Sequence, residues 1–169
     1  TEKRVVNLTR SAFAGQQKYA TITWSGDVVA SWDVFRKQIP AGLNVALSGI
    51  PWWTTDIGGF LNGNIHDPTF RELIVRWFQY GVFCPLFRLH GHRSPEDGVG
   101  AGVSGAANEV WSFGEEVYEI LKEYMHLRER LHPYIMEQMR VASELGTPPM
   151  RPLFYDFPND EQAWDVEDQ

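Results

Sequence analysis

The amino-acid sequence predicts an α/β fold, in which helices cover a parallel sheet. Short apolar runs alternate along the chain with longer amphipathic ones, and the short runs lack the polar alternation of a strand that faces solvent. Parallel strands also need crossover connections, for which the amphipathic runs are suited. Strands are predicted at residues 5–8, 19–24, 44–50 and 82–89.

The first two helices are predicted from their apolar periodicity and their end signals. Ser31 is expected to cap a helix that reaches to about Leu43, with Pro40 kinking it or ending it early. Asp67 is expected to cap a second helix, which has a proline at its first position and stops at Gly81. Both helices would connect neighbouring strands of the sheet.

The third helix is predicted from a capping box and a long apolar periodicity. Ser112 and Glu115 stand at the spacing at which each side chain bonds to the other residue's backbone N–H. The periodicity runs to Leu145, and Pro133 is expected to divide the helix in two. Beyond it, residues 156–169 form an acidic tail that is expected to lie in solvent.

Two stretches have no clear strand or helix pattern. The residues between Leu8 and Tyr19 join two predicted parallel strands although they hold no convincing helix, and residues 91–105 are rich in glycine. Long loops of this kind often carry binding or catalytic residues. The first stretch is therefore interpreted as an active-site loop.

Composition excludes several classes of function. The chain has 169 residues, enough for one domain, and 15 Lys and Arg against 22 Asp and Glu give it a net charge of −7. This acidic balance is unsuited to the phosphate backbone of nucleic acid. No apolar run approaches the length of a membrane span, and the single cysteine, Cys84, allows no internal disulfide. Localisation stays open between cytoplasmic, periplasmic and secreted.

The residues that follow the predicted strands share one chemical character. In parallel sheets and α/β barrels, ligands bind at the carboxyl ends of the strands. The sequence offers guanidinium, carboxylate, imidazole and indole groups there. This mixture suits an oligosaccharide, because indoles pack on the C–H face of a sugar ring and the polar groups bond to its hydroxyls. The candidate site residues are Arg10, Trp24, Asp27, Trp52, Asp56, Phe60, Arg88 and His90.

Asp27 and Asp56 are the candidate carboxylates for cleaving a glycosidic bond. Such cleavage needs one carboxyl group to protonate the leaving oxygen and a second to act as nucleophile or base. Each of the two residues also stands in a good turn sequence, Ser-Gly-Asp or Asp-Ile-Gly-Gly, so that a purely structural role stays open.

Other functions remain open on the residues alone. The same aromatic and acidic side chains would serve a non-catalytic carbohydrate-binding module, or a structural fragment that binds nothing. His90 and His92 would also suit a metal-dependent barrel hydrolase. However, no further His or Cys follows a predicted strand, and Arg88 and Arg93 would repel a cation. No metal and no cofactor are therefore expected.

Four ordered motifs stand at the ends of the predicted strands. They are TRSAFAG at residues 9–15, WSGD at 24–27, SGIPWWTTDIGGF at 48–60 and FRLH at 87–90. Together they resemble successive motifs of glycoside hydrolase family 31, the retaining α-glucosidases and α-xylosidases. The helical remainder through residue 155 is also similar to that family, so that the resemblance covers nearly the whole chain.

The resemblance implies a fold and a set of roles. Residues 1–110 would be the carboxyl-terminal half of a (β/α)8 TIM barrel, strands five to eight, and residues 111–155 its helical end. Asp27 would be the general acid/base, and Arg10 would lie near the nucleophile. The residues matching those around the cleaved sugar are Trp24, Asp56, Phe60, Arg88 and His90, which makes Asp56 a hydroxyl ligand rather than a catalytic partner.

The sequence departs from the family in one respect. The family's nucleophile, an aspartate after barrel strand four, has no counterpart in these residues, and the chain begins at Thr1 without signal-peptide features. The chain is therefore expected to be a mature product or an excised segment, inactive alone and self-associating through open sheet edges. The motifs favour α-xylosidase over α-glucosidase.

Overall fold

The sheet has three parallel strands, and the first is at one edge. The computed structural model describes residues 5–96 and 105–166. Strands β1 (Asn7–Thr9), β2 (Thr21–Trp24) and β3 (Trp53–Thr54) lie in the order β1-β2-β3. All pairs are parallel, with Leu8 opposite Ile22 in the register. The predicted parallel α/β arrangement is therefore confirmed, although the strands are shorter than expected.

Helices and short elements complete the chain. The long helices are α1 (Trp32–Leu47), α2 (Pro68–Phe83) and α3 (Glu115–Leu145). The short elements are a 3-10 helix (Gln16–Tyr19), the parallel strand pair β4 (Gly63–Asn64) and β5 (Arg93–Ser94), α4 (Leu153–Asp156) and a second 3-10 helix (Glu161–Trp164). None of the helices among the described residues is long and apolar enough to cross a membrane.

Helix α1 begins as predicted but ends later. The Ser31 hydroxyl accepts a hydrogen bond from the backbone N–H of Val34 at 3.2 Å, which confirms the N-cap. Pro40 lies inside the helix, which continues to Leu47. An internal proline costs roughly 3 kcal/mol, and burying one leucine such as Leu43 recovers about 1.5 to 3 kcal/mol. The strand predicted at residues 44–50 is wrong, because residues 44–47 continue this helix, in which burial of Leu43 together with Ala46 offsets the cost of the proline.

Helix α2 also begins at its predicted cap and runs past its predicted end. The Asp67 carboxylate accepts the N–H of Thr69 at 2.9 Å. The helix continues through the buried Val82 to Phe83, so that the strand predicted at residues 82–89 is wrong. Pro85 has no N–H to donate to a ladder. The segment that follows Pro85 contacts β3 through its backbone without forming a strand.

Helix α3 differs from the prediction at its start and in its middle. Gly114 occupies the N-cap position without a side-chain cap, and the Ser112 hydroxyl donates to a Glu109 carboxylate oxygen at 3.0 Å. The predicted capping box is therefore not formed. Pro133 lies within one continuous helix instead of splitting it. Apolar side chains are buried on both sides of the proline, Leu121 before it and Ile135 after it, so that packing favours one continuous helix.

The main core lies between α2 and α3. It is built from large apolar side chains of both helices, with Ile57 from the loop after β3, and its most buried members are Ile74, Trp77, Phe78, Val82, Phe113 and Leu121. Arg128 of α3 closes the end of α2 by donating to the carbonyl oxygens of Cys84 at 2.7 Å and Pro85 at 3.0 Å. These contacts fix the direction in which the chain leaves α2.

The acidic tail and the glycine-rich loop are only partly described. Within the tail, Trp164 stacks on Phe154 with ring centroids 4.4 Å apart, and Ala163 is buried. The tail is therefore packed at these points rather than wholly in solvent. Residues 97–104 of the predicted loop and 167–169 of the tail lie outside the described residues.

Candidate active site

The first two strands deliver an arginine and a carboxylate to the same end of the sheet. Arg10 follows β1, and Asp27 follows β2. Because the strands are parallel, the two side chains meet, and an Arg10 guanidinium nitrogen lies 2.5 Å from an Asp27 carboxylate oxygen. The Asp27 side chain is about one-third exposed (33 %), so that it is accessible to a ligand while bonded to Arg10.

Trp24 stands at the end of β2 between two guanidinium groups. The Cζ atom of Arg10 lies 5.5 Å from the centroid of the Trp24 ring, and that of Arg88 lies 5.9 Å from it. Such distances are within the range of cation–π attraction. The indole therefore joins the arginine after β1 to the arginine that precedes His90, across the strand ends.

Asp56 is the most deeply buried charged group of the site. Its side chain has no exposed surface, and one carboxylate oxygen pairs with Arg88. Burial raises the pKa of Asp56 above its ordinary value, the nearby Asp27 charge raises it further, and the charges of Arg88 and His90 oppose the shift. The second oxygen, Oδ2, has no hydrogen-bond partner among the described residues. It is therefore a buried acceptor without a partner, which is uncommon in folded proteins.

The loop that carries Asp56 is held by hydrogen bonds to Ser25 and by a close backbone contact. The Ser25 hydroxyl accepts the Thr55 hydroxyl at 3.3 Å and the Asp56 N–H at 3.4 Å. Gly59 has a φ of +74°, and a Cβ there would meet the Ala30 backbone at 2.6 Å. Only glycine fits this position without displacing the loop.

Phe60 and His90 form the aromatic side of the site. Their ring centroids lie 5.4 Å apart, and the Phe60 carbonyl accepts the His92 N–H at 2.8 Å. His90 is exposed and contributes to the electrostatic field at Asp56. An imidazole and an aromatic face therefore lie beside each other, within electrostatic reach of the buried Asp56 carboxylate.

The structure does not bring Trp52 to this group, in contrast to the sequence-based expectation. Trp52 precedes β3 and lines a surface cavity with Gln17, Ala20 and Ala142. It stands four residues before Asp56, or roughly 13 Å of extended chain. Trp52 lies at the start of its strand, whereas the ligand-facing residues follow the ends of theirs. Trp52 is therefore at the amino-terminal ends of the strands, opposite the candidate site.

Two polar residues support the site but were missed as functional residues in the sequence. Gln16 is buried, donates to the Thr23 hydroxyl at 2.7 Å and accepts the Phe13 N–H at 3.1 Å, which fixes the loop carrying Arg10. Arg93 is fully buried and bonds to the loop after Asp56. Neither residue has a local pattern that reveals burial, since glutamine and arginine are usually exposed.

The histidines do not assemble a metal site. Among residues 5–96 and 105–166, no group of three or more His, Cys, Asp or Glu side chains is arranged to hold a metal ion. His92 Nε2 lies 3.1 Å from a Glu96 carboxylate oxygen, in a separate pair from the Asp56 site.

Comparisons with known proteins identify the family to which the chain is similar. The family model described as "Glycosyl hydrolases family 31 TIM-barrel domain" matches residues 1–138. The chain is 46% identical over its full length to an alpha-xylosidase of Saccharolobus solfataricus, of which it covers 22%. It is 35% identical over 99% of its length to alpha-glucosidase 2 of Bacillus thermoamyloliquefaciens, of which it covers 19%.

A solved structure is similar across almost the whole chain. It is a GH31 alpha-xylosidase from a soil metagenome complexed with xylose, with a TM-score of 0.92, 53% identity, and coverage of 98% of this chain and 26% of that one. The chain therefore spans about a fifth to a quarter of the length of these relatives. The family match over residues 1–138 and the shared fold show that the chain belongs to glycoside hydrolase family 31.

Proposed function

We propose that this chain is the segment of a retaining α-glycosidase that holds the general acid/base and most of the sugar-binding residues. The single observation that carries the proposal is the convergence of Arg10, Trp24, Asp27 and Asp56 at the carboxyl ends of parallel strands, where Arg88 joins them from the segment after α2. In this proposal, the segment supplies strands five to eight of the (β/α)8 barrel.

Asp27 is the proposed proton donor. Its proton passes to the glycosidic oxygen while the bond from that oxygen to the anomeric carbon breaks and the alcohol leaves. A carboxylate nucleophile, which lies outside this chain, forms an ester with the anomeric carbon. The Asp27 carboxylate then removes a proton from water as the water oxygen attacks and the ester breaks. Each cycle thus returns both carboxyl groups to their starting state.

The remaining residues bind the cleaved sugar. Arg88 and His90 bond to sugar hydroxyls from the accessible side of the site. The unpartnered oxygen of Asp56 is enclosed in this structure and accepts a hydroxyl group only when the entering sugar displaces what covers it. Trp24 and Phe60 offer apolar faces to the C–H side of the ring. Arg10 holds the Asp27 carboxylate in place. Trp52 has no role in this arrangement, because it lies at the amino-terminal ends of the strands.

The favoured substrate is a terminal α-linked xylose, with α-linked glucose as the alternative. Support comes from the 46% identity to an alpha-xylosidase and from the 53% identity to an alpha-xylosidase structure that contains xylose. The two sugars differ by one hydroxymethyl group. A pocket wall that excludes this group is worth only about 1 to 3 kcal/mol of discrimination, so that a change of a few atoms suffices to exchange the two specificities.

We expect the complete polypeptide to hydrolyse aryl α-xylosides and the isolated 169-residue chain to hydrolyse none. One carboxyl group cannot serve as both nucleophile and acid/base. The measurement is the release of the aryl alcohol from matched α-xylosides and α-glucosides, by both proteins at equal concentration. Hydrolysis by the isolated chain would contradict the proposal that the nucleophile lies outside this chain. A complete protein that binds xylose without hydrolysing it would instead be a carbohydrate-binding protein.

The isolated chain is also expected to self-associate. The outer edge of β1 has no partner strand among the described residues, and the exposed side chains beside it are apolar: Val5, Val6, Leu8 and Phe13. An open apolar edge is prone to pair with another chain. Sedimentation velocity at micromolar concentration should show dimers or larger species. A stable monomer would contradict this expectation, and Leu8→Lys, placed at the edge, should shift the distribution towards monomer.

A further inference from the structure

Arg93 is a buried cation whose hydrogen-bond acceptors among the described residues are all neutral, although the charge of Asp56 favours its protonated form. Its side chain has no exposed surface, and it takes part in no ion pair within residues 5–96 and 105–166. Burial lowers the pKa of Arg93 to about 10, which leaves it charged at neutral pH. A buried charge of this kind persists only where hydrogen bonds replace its water.

The guanidinium replaces that water with acceptors from two loops. It donates to the carbonyl oxygens of Gly59 at 2.6 Å and Ile57 at 2.8 Å, both in the loop that begins at Asp56. Its Nε donates to the Asn108 side-chain oxygen at 2.7 Å. The backbone of Arg93 itself follows three residues after His90. One side chain therefore ties the Asp56 loop to the segment that bears His90.

The surroundings are shaped around this group. At Gly91, a Cβ would stand 2.5 Å from the Cζ and both terminal nitrogens of Arg93, and at Gly63 it would stand 2.8 Å from one of them. The Phe70 ring covers the guanidinium at 5.1 Å. Gly91 is not in the left-handed region, so that the space for Arg93 is what demands a glycine there.

We propose that Arg93 is a positioning residue, which sets the separation of Asp56 and His90 and so determines how tightly the cleaved sugar binds. This inference rests on the proposed function. Without the guanidinium, the carbonyls of Ile57 and Gly59 lose their buried partner, and the Asp56 loop can move relative to His90. Displacements of about 1 Å at such sites reduce rates by as much as ~100-fold.

Arg151 provides a control. Its guanidinium also donates to a backbone carbonyl, that of Pro148 at 3.1 Å, in a segment that carries none of the candidate site residues. In the complete enzyme, Arg93→Met should raise the inhibition constant of free xylose about ten- to hundredfold, whereas Arg151→Met should leave it within about twofold even though it lowers stability. Arg93→Lys should restore little, because an ammonium cannot donate to the same forked acceptor set.

Gly91→Ala separates positioning from general stability. Its methyl group meets the Arg93 guanidinium, so it should weaken xylose binding in the wild-type background and have almost no effect in Arg93→Met. Such non-additivity is the expected mark of a direct contact. Additive effects of the two substitutions, or an unchanged inhibition constant in a folded Arg93→Met enzyme, would overturn the inference.

Hydrogen exchange distinguishes this inference from the proposed function. Arg93→Met should increase amide exchange at residues 56–64 and 90–94, and Arg151→Met only near residues 146–156. A complete protein without glycosidase activity would overturn the proposed function, and the exchange comparison would then still decide whether Arg93 joins the loops. Unchanged amide exchange at residues 56–64 would show that Arg93 does not hold the Asp56 loop against the segment that bears His90.

Discussion

Asp27→Asn is expected to lower kcat of the complete enzyme by roughly 10²- to 10⁴-fold, the usual contribution of a general acid/base. The amide has almost the same shape as the carboxylate but can neither donate a proton to the leaving oxygen nor accept one from water. Arg10 would lose its ionic partner, at a small cost in stability, because the pair is largely exposed. The measurement is steady-state hydrolysis of α-xylosides with a series of leaving groups.

The pattern across leaving groups identifies the role. Leaving groups that are already stable as anions need little protonation, so that the loss should be smaller for nitrophenyl than for alkyl xylosides. Azide should restore turnover, since an anion attacks the glycosyl-enzyme ester without losing a proton. Asp33→Asn, an exposed carboxylate on α1, is the control and should leave kcat unchanged. Equal losses for all leaving groups, without azide rescue, would exclude the acid/base role.

Arg88→Met is expected to destabilise the folded protein by about 3 kcal/mol and to abolish measurable sugar binding. The substitution leaves the Asp56 carboxylate buried without its cation, and breaking a buried pair by removing one partner commonly costs roughly 3 to 5 kcal/mol. Arg10→Met is the matched comparison, because it breaks an Arg–Asp pair beside the same Trp24 ring. The partner of Arg10, Asp27, is exposed, so that Arg10→Met should destabilise the folded protein by less than ~1 kcal/mol.

The loss of stability should depend on pH in a defined direction. Arg88 lowers the pKa of Asp56 and burial raises it, so that removing Arg88 leaves the pKa further above its ordinary value of 3.8. A raised folded-state pKa means that stability falls as pH rises through it. The deficit of Arg88→Met should therefore be largest at neutral pH and shrink on acidification. Thermal unfolding over that range measures it, and a deficit that grows on acidification would contradict the argument.

The proximity of most candidate residues was more predictable from the sequence than the boundaries of the elements. Arg10, Asp27 and Asp56 follow strands, and parallel strands bring the residues at their ends together whatever the strand lengths are. The caps at Ser31 and Asp67 were also predictable, because they depend on contacts within a few residues. Local order of this kind can be inferred from the chain alone.

The errors occurred where distant contacts decide. Pro40 and Pro133 lie inside helices that packing keeps intact, and the proline rule considers only the helix itself. Trp52 looked like a ligand residue because the strand was assigned to residues 44–50, which made it appear to follow a strand instead of preceding one. Arg93 is charged, and nothing local indicates that a charged residue is buried.

The two Arg–Asp pairs differ in their access to water, and this has a consequence for how the site responds to dissolved ions. At physiological ionic strength charges are screened over about 8 Å, and exposed pairs are screened much more than enclosed ones. Added salt will therefore loosen Arg10 from Asp27 while Arg88 stays on the fully enclosed Asp56. A high salt concentration should therefore affect the proposed proton transfer at Asp27 more than the proposed sugar binding beside Asp56.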